Sequence, residues 1–450
     1  MLSGIGRVRS NLLPKSWARI AMGWRRQAAP ALFAVIVALL FVSPGVAMFR
    51  GRWVQVSDLL AVAYIIFLTY RLATKRLRWQ SAFDAPLFMW AYLGACAFFS
   101  VVSLVYFLAG EIQLVWFLMP VKMMLMFSFV QLVLDLLRTE RVNPRQVAVT
   151  FFAVSVVQIL YMVFQVATQQ FSGYYLVDIV GSIGPSHAGF TAAILVCFAA
   201  YDWAEVNRTL PYLALTALLI LDLFLIINRI SIVAVVVVLC LWGLVEYSRR
   251  MTWKRMLIAW GLVSLLVGLG IVLSSTDPVS ISMSLLGRYD PHNSMNRIFD
   301  FFHAGASGSA NERVHKWGEH LRALHDLDLF HVIFGAGSYA QAIYIDSVGK
   351  LVPTGAGVDN LVVKILWNFG YAGFAMFLPY FFAHAAYTVR NRRNILGVFI
   401  FFVMAIHNVT HELYFVGKTL DIFMLMTAIT IWMNEHDCAP GRLRSARRSA

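Results

Sequence analysis

Arg229 interrupts the apolar run LFLIINRISIVAVVV, between two stretches that each approach membrane-spanning length with almost no loop between them. A guanidinium at that depth is costly without an anionic partner. Its planar fork matches a diphosphate, which is the functional reading of the residue. Snorkelling to headgroups, or pairing with Asp222 seven residues earlier on the same helical face, is the structural reading. Arg313 and Lys316 stand three apart in NERVHKW, with Trp317 following, so helical spacing puts the two cations on one face. Alone, such a stripe is a solvated surface. Set across a cavity from Arg229, it becomes the second half of a grip on a lipid-linked diphosphate.

Three further groups have chemistry in reach. Asp359 and Asn360 open the apolar run NLVVKILWNFGYAGF, where a carboxylate serves either as a helix cap or as a general base toward an acceptor hydroxyl. Lys364, about one turn deeper by helical spacing, is placed to pair with Asp359 or to contact phosphate. His187 follows the turn GSIGPS at the start of another apolar run, where it either touches phosphate or sugar, or caps. Lys122 sits inside a span, and its alternatives are substrate binding and an internal ion pair. Two patterns are weaker. Asp326 and Asp328 form a DxD of the kind that holds a metal and a nucleotide sugar, and His407 with His411 has i, i+4 spacing without a third ligand. With two arginines to neutralise a diphosphate, neither a metal nor another cofactor is expected.

The elements that must position these residues follow from composition. Of 450 residues, 60% are hydrophobic and only 13% charged, about half the charge of a soluble globular chain. That excludes a soluble cytosolic enzyme. A window of about 20 residues predicts twelve spans, near 28–49, 54–70, 86–109, 112–137, 147–168, 187–204, 210–228, 230–247, 256–274, 358–388, 395–414 and 417–434. The expected fold is an all-α polytopic bundle. Its parts are a basic segment over 1–27, nine spans over 28–274, one long polar segment over 275–357, three spans over 358–434 and a basic tail over 435–450.

A net charge of +14 would raise the question of nucleic acid in a soluble protein. Here most of the 37 Lys and Arg fall on the termini and on alternate loops, such as RLATKRLRWQ, SRRMTWKR and VRNRRN, whereas the short loops of the other side carry only Arg50, Arg52, Arg229 and Lys418. The positive-inside rule therefore places both termini in the cytoplasm and 275–357 outside, with no nucleic-acid partner. The four cysteines make no disulfide framework or CxxC site. Within the long segment, Val314, Trp317, Leu321 and Leu324 predict an amphipathic helix over Glu312–His325, with Ser309 and Glu312 as its capping box. Met295, Ile298, Phe299 and Phe302 predict another over Ser294–His303. Both are suited to lie on membrane lipids or on the bundle.

Taken in order, GSIGPSHAGF at a span start, NRIS at a span junction, NERVHKW and VIFGAGSY in the long segment, then DN and FGYAGF, resemble the O-antigen ligase and O-antigen polymerase superfamily over roughly residues 170–390. The resemblance implies a GT-C type membrane glycosyltransferase of the bacterial inner membrane that takes a glycan from undecaprenyl diphosphate on the periplasmic side. It puts Arg229 and Arg313 on the diphosphate. The ligase branch carries His-Asn where this chain has Asp359-Asn360, which leans the resemblance toward the polymerase branch. A chain-length regulator and a flippase are then candidate partners. Transfer to lipid A core or protein is the alternative within the class, and a flippase or exporter of lipid-linked oligosaccharide, suggested by Lys122 and Lys364, is the alternative outside it.

Overall fold

A computed structural model describes residues 15–42, 47–49, 52–74, 85–139, 142–168, 179–180, 185–202, 209–226, 229–250, 308–337, 343–345, 351–353, 360–391, 394–410 and 417–437. The chain forms a helical bundle. In order its helices are α1 (Lys15–Val42), α2 (Val56–Ala73), α3 (Leu87–Leu108), α4 (Leu114–Thr139), α5 (Pro144–Thr168), α6 (Pro185–Tyr201), α7 (Leu210–Ile226) and α8 (Arg229–Arg250). After the long polar segment's helices, α9 (Gly308–His325) and α10 (Leu329–Phe334), come α11 (Leu361–Arg390), α12 (Ile395–Thr410) and α13 (Gly417–Asp437). Two antiparallel ribbons lie in connections: β1 (Ala47–Phe49) with β2 (Arg52–Val54), and β3 (Ile343–Ile345) with β4 (Leu351–Pro353).

Burial runs opposite to that of a soluble protein. On α5, Ser155, Gln158 and Gln165 are buried, while Leu160, Val163 and Phe164 are half exposed or more. On α2, Ser57 is buried and Leu59, Ile66 and Phe67 are exposed. Apolar side chains outward and polar ones inward is the arrangement that a hydrocarbon solvent selects. Among the described residues, Val56–Ala73, Leu87–Leu108, Trp116–Arg138, Pro144–Thr168 and Leu361–Arg390 are helices long and apolar enough to cross a membrane, and five shorter apolar helices accompany them. The chain is a membrane protein built from apolar helices.

The stretches expected as spans overlap α1 to α8 and α11 to α13, of which α2 to α5 and α11 are long and apolar enough to cross a membrane, with three corrections. The first helix begins at Lys15 and ends at Val42, so residues 47–49 of the expected 28–49 span are a strand and the basic start is partly helical. Ser309 lies inside α9, which starts at Gly308, so it is no N-cap. Asp222 and Arg229 are on different helices, because α7 ends at Ile226, and the shared-face argument for pairing them falls. The expected span 256–274 and the helix Ser294–His303 lie outside the described residues.

Local sequence sets the helix starts. Asn143 caps α5 by accepting the Gln146 N–H at 2.8 Å, and Gln146 Oε1 accepts the Asn143 N–H at 3.0 Å, with Pro144 at the first helical position. Asn394 does the same for α12 through the Gly397 N–H and also donates to Asn434 Oδ1 at 2.8 Å on α13. Two helices form the centre. Every residue from His187 to Ala200 of α6 and from Lys418 to Asn434 of α13 is buried, which is where helices apolar on all faces belong.

The polar layer over 308–337 docks on α11 through backbone as much as side chains. Gly370 breaks α11 with φ +64°, and Gly335 follows α10 with φ +83°. A Cβ at Gly335 would come within 2.3 Å of the Asn368 carbonyl carbon, and one at Gly370 within 2.2 Å of the Ile333 oxygen. Only glycine permits both the left-handed backbone and that approach. The Ala336 N–H then donates to the Trp367 carbonyl at 2.7 Å, and Tyr106 of α3 donates to the Gly335 carbonyl. The glycines of VIFGAG and FGYAGF are thus the joint between the polar layer and the bundle.

Candidate functional site

Buried polar groups gather at one end of the bundle, where α6, α8 and α13 begin and α7 and α12 end. Ser231 near the start of α8 is hydrogen-bonded to His407 near the end of α12, and α6 packs on α7, α8, α12 and α13, so these starts and ends share a face. On α6, His187 is 1% exposed. Its Nε2 shares a 3.2 Å hydrogen bond with Thr191 Oγ1 one turn along, and its Nδ1 is buried with no hydrogen-bond partner among the described residues. The capping role weighed for His187 is not the one seen, since it stands inside the helix after Pro185. Lys418, fully buried in the first turn of α13, is near enough for its charge to act on His187.

Alongside, Ser231 of α8 shares a 3.1 Å hydrogen bond with His407 Nε2 of α12, and both are fully buried. His407 also sets its ring edge-on to Phe190, one turn after His187 at 5.4 Å. Arg229 opens α8 two residues before Ser231, so the backbone that carries it is fixed at this cluster. Packing of α6 against α8, α12 and α13 closes the group. His407 was legible in the sequence only as half of a metal pattern, and Lys418 only as an outer charge. What brings them in is tertiary contact between helices more than 200 residues apart in sequence from α6.

A second group surrounds the start of α11. Asn360 caps that helix, its Oδ1 accepting the Val363 N–H at 3.1 Å, and is 9% exposed. Capping is therefore performed by Asn360; Asp359 precedes the cap and lies outside the described residues. Lys364 is 5% exposed on the first turn. Over the next turn, Trp367 meets the His320 ring of α9 edge-on at 5.5 Å, and Leu324 is buried against Leu366 and Trp367. His320 is buried against α11. Trp317 is half buried on the same helix. Arg313 and Lys316 lie on α9, which positions their backbone over this end; their side chains are outside the described residues.

Lys122 belongs to a third group. Its Nζ stands 3.0 Å from Asp58 Oδ2 of α2 and 3.6 Å from Asp421 Oδ2 of α13. Asp58 Oδ2 also accepts the Gln55 N–H at 2.8 Å. Of the two readings of Lys122, the internal ion pair is the arrangement seen. In the DxD pattern, Asp328 caps α10, accepting the His331 N–H at 3.1 Å and approaching the His331 ring at 2.6 Å. Those contacts, the backbone N–H foremost, hold its carboxyl below the usual carboxylate value. Among the described residues, no cluster of three or more His, Cys, Asp or Glu is arranged to hold a metal ion.

No curated protein matches the chain. A family model described as O-antigen ligase matches residues 214–378. That stretch runs from α7 through α11 and includes Arg229, Arg313, Lys316, Trp317, Asp359, Asn360 and Lys364, while His187, Lys122, His407 and Lys418 fall outside it. Residues 214–378 are thus similar to the O-antigen ligase family, within a bundle of apolar helices.

Proposed function

We propose that this protein is a membrane glycosyltransferase of GT-C type, with twelve spans and both termini in the cytoplasm of a bacterial inner membrane. It polymerises undecaprenyl-diphosphate-linked repeat units on the periplasmic side. The observation that carries this reading is the convergence of His187, Lys418, Ser231 and His407 at the helix start that bears Arg229. Buried donors and cations at helix N-termini suit an anion. The family match supports glycosyl transfer as the class.

In this reading Arg229 and Arg313 hold the donor diphosphate, with His187 and Lys418 beneath it and Lys316 and Trp317 along the glycan. Charge neutralisation at the leaving diphosphate lowers the barrier. Asp359 orients the acceptor hydroxyl and takes its proton as the sugar–oxygen bond forms and the diphosphate departs. Transfer to lipid A core or protein, by a ligase, uses the same donor site. Export of intact lipid-linked oligosaccharide rested on Lys122 and Lys364; the two carboxylates on Lys122 withdraw half of that support.

Purified protein in liposomes, given undecaprenyl-diphosphate-linked repeat units and no gradient, is expected to yield a ladder of longer lipid-linked glycans. Arg229→Lys, Arg313→Lys and Asp359→Asn should each reduce it about 100-fold at unchanged protein level. Glycan appearing only on added lipid A core or protein would make it a ligase. Movement of the unaltered lipid-linked unit, with no glycosidic bond formed, would overturn the reading.

A further inference from the structure

The polar layer over 308–337 contains one run that is not polar. Helix α10 reads LFHVIF, and its Leu329, Phe330 and Ile333, on one face by helical spacing, are exposed by 74%, 49% and 38%. Its neighbour α9 differs, since Leu324 there is buried against Leu366 and Trp367 of α11. Adjacent exposed apolar side chains mark an interaction surface. Ring contacts between α3 and α11 fix where this one stands. Phe88 stacks on His384 at 4.4 Å, Tyr92 meets Tyr380 at 5.3 Å and Phe99 stacks on Phe369 at 4.1 Å, so the two helices run side by side in opposite directions. At Gly370, with φ +64°, α11 breaks. About two turns further along α3, Tyr106 meets α10 instead: its ring lies 6.3 Å from Phe330 and 5.9 Å from His331, and its hydroxyl donates to the Gly335 carbonyl. Beside the last two turns of α3, α10 thus takes the place that α11 leaves.

We propose that α10 is an interfacial anchor, with Leu329, Phe330 and Ile333 inserted among the acyl chains of the leaflet in which α3 ends, and with Asp328, His331 and Glu111 at headgroup level. Bilayer lipid is the occupant because of what continues the surface. Val101, Leu104, Val105 and Leu108 of α3 form an exposed stripe at i, i+3, i+4 and i+7 on a helix long and apolar enough to cross a membrane, and α10 stands beside its outer half. Its backbone is closed as hydrocarbon requires. Asp328 accepts the His331 N–H, the Gly335 N–H donates to the His331 carbonyl at 2.7 Å, and the Ala336 N–H donates to the Trp367 carbonyl at 2.7 Å. The polar side chains keep together, with the His331 ring 2.6 Å from Asp328 and 4.0 Å from Glu111. Residues 326–328 join α10 directly to α9, so the anchor fixes the height of the helix that carries Arg313 and Lys316. None of this depends on which glycan reaction the protein performs.

The test places nitroxide labels on the full-length protein in vesicles of phosphatidylethanolamine and phosphatidylglycerol. With Cys96, Cys197, Cys240 and Cys438 replaced by Ala, single labels go on Leu329→Cys, Phe330→Cys and Ile333→Cys, with Val105→Cys on α3 as the lipid reference and Arg322→Cys, exposed on α9, as the water reference. The three α10 labels should collide with oxygen in preference to a water-soluble nickel chelate, as Val105→Cys does, at a depth of about 5–10 Å into the headgroup and acyl boundary. Arg322→Cys should show the opposite preference. Nickel access on α10 equal to that of Arg322→Cys would overturn the proposal. So would access to neither reagent, which would mean that another part of this chain or a second copy covers the face. A second measurement keeps the native cysteines, in case their removal unfolds the protein. p-Benzoylphenylalanine in place of Phe330, in the otherwise unaltered chain, should cross-link to phospholipid on illumination, and adducts to protein alone would sink the anchor.

Discussion

Two lysines, Lys122 and Lys418, are each drawn into the bundle at α13, and they keep different company. Lys122 comes from α4 to lie between Asp58 and Asp421, at 3.0 and 3.6 Å. Lys418, one turn before Asp421 on α13, acts on the imidazole of His187. The first cation is answered within the chain by carboxylates, as an interior that excludes water requires. The second lies beside the His187 imidazole, whose Nδ1 is buried with no hydrogen-bond partner among the described residues, at a helix start where backbone N–H groups add to the positive field. Under the proposed function, the difference separates a cation that holds helices together from one that stands beside the donor's anion, and Asp421 and Lys418 lie on one helical turn.

The largest expected effect breaks the first half of the comparison. Lys122→Ala leaves Asp58 and Asp421 facing each other in the bundle and should cost about 3–5 kcal/mol, seen as a lower melting temperature in detergent and reduced protein in the membrane. Adding Asp421→Leu to a Lys122→Met background should recover much of that loss, because replacing a buried ion pair by apolar groups is often neutral. A Lys122→Ala protein as stable as the original would remove the structural role and return Lys122 to the substrate.

Lys418→Met addresses the second half. Glycan transfer should fall about 100-fold, while the melting temperature drops by less than for Lys122→Ala. The reverse order, with Lys418→Met unfolding and Lys122→Ala folded but inactive, would exchange the two assignments. The smallest effect sharpens the boundary between cap and chemistry on α11. Asn360→Ala removes the Val363 N–H partner and should cost about 1 kcal/mol, with transfer largely kept; Asn360→Asp should restore stability. Transfer abolished by Asn360→Ala at full stability would move Asn360 from cap to substrate.

Much of the architecture was readable along the chain because it depends on local composition. Apolar runs of spanning length locate helices, and α2, α3, α4, α5 and α11 keep those limits to within a few residues. The amphipathic spacing of Trp317, Leu321 and Leu324 located α9. The partners of buried polar residues were not readable, since each depends on which helices become neighbours. Lys122 invites two readings until α2 and α13 bring Asp58 and Asp421 to it. His407 reads as half a metal site until α8 sets Ser231 against it.

By itself, the sequence determined that this chain lies in a membrane, where its helices run, and that its motifs resemble those of a glycan-transferring superfamily; hydrophobicity, charge placement and spacing are properties of short segments. Only the tertiary structure decided that Gly335 and Gly370 join the polar layer to the bundle, and that Lys418 and His407 stand with His187. Those outcomes turn on approaches of a few ångströms between segments far apart in sequence. Nothing in the pattern of one segment records which other segment will face it.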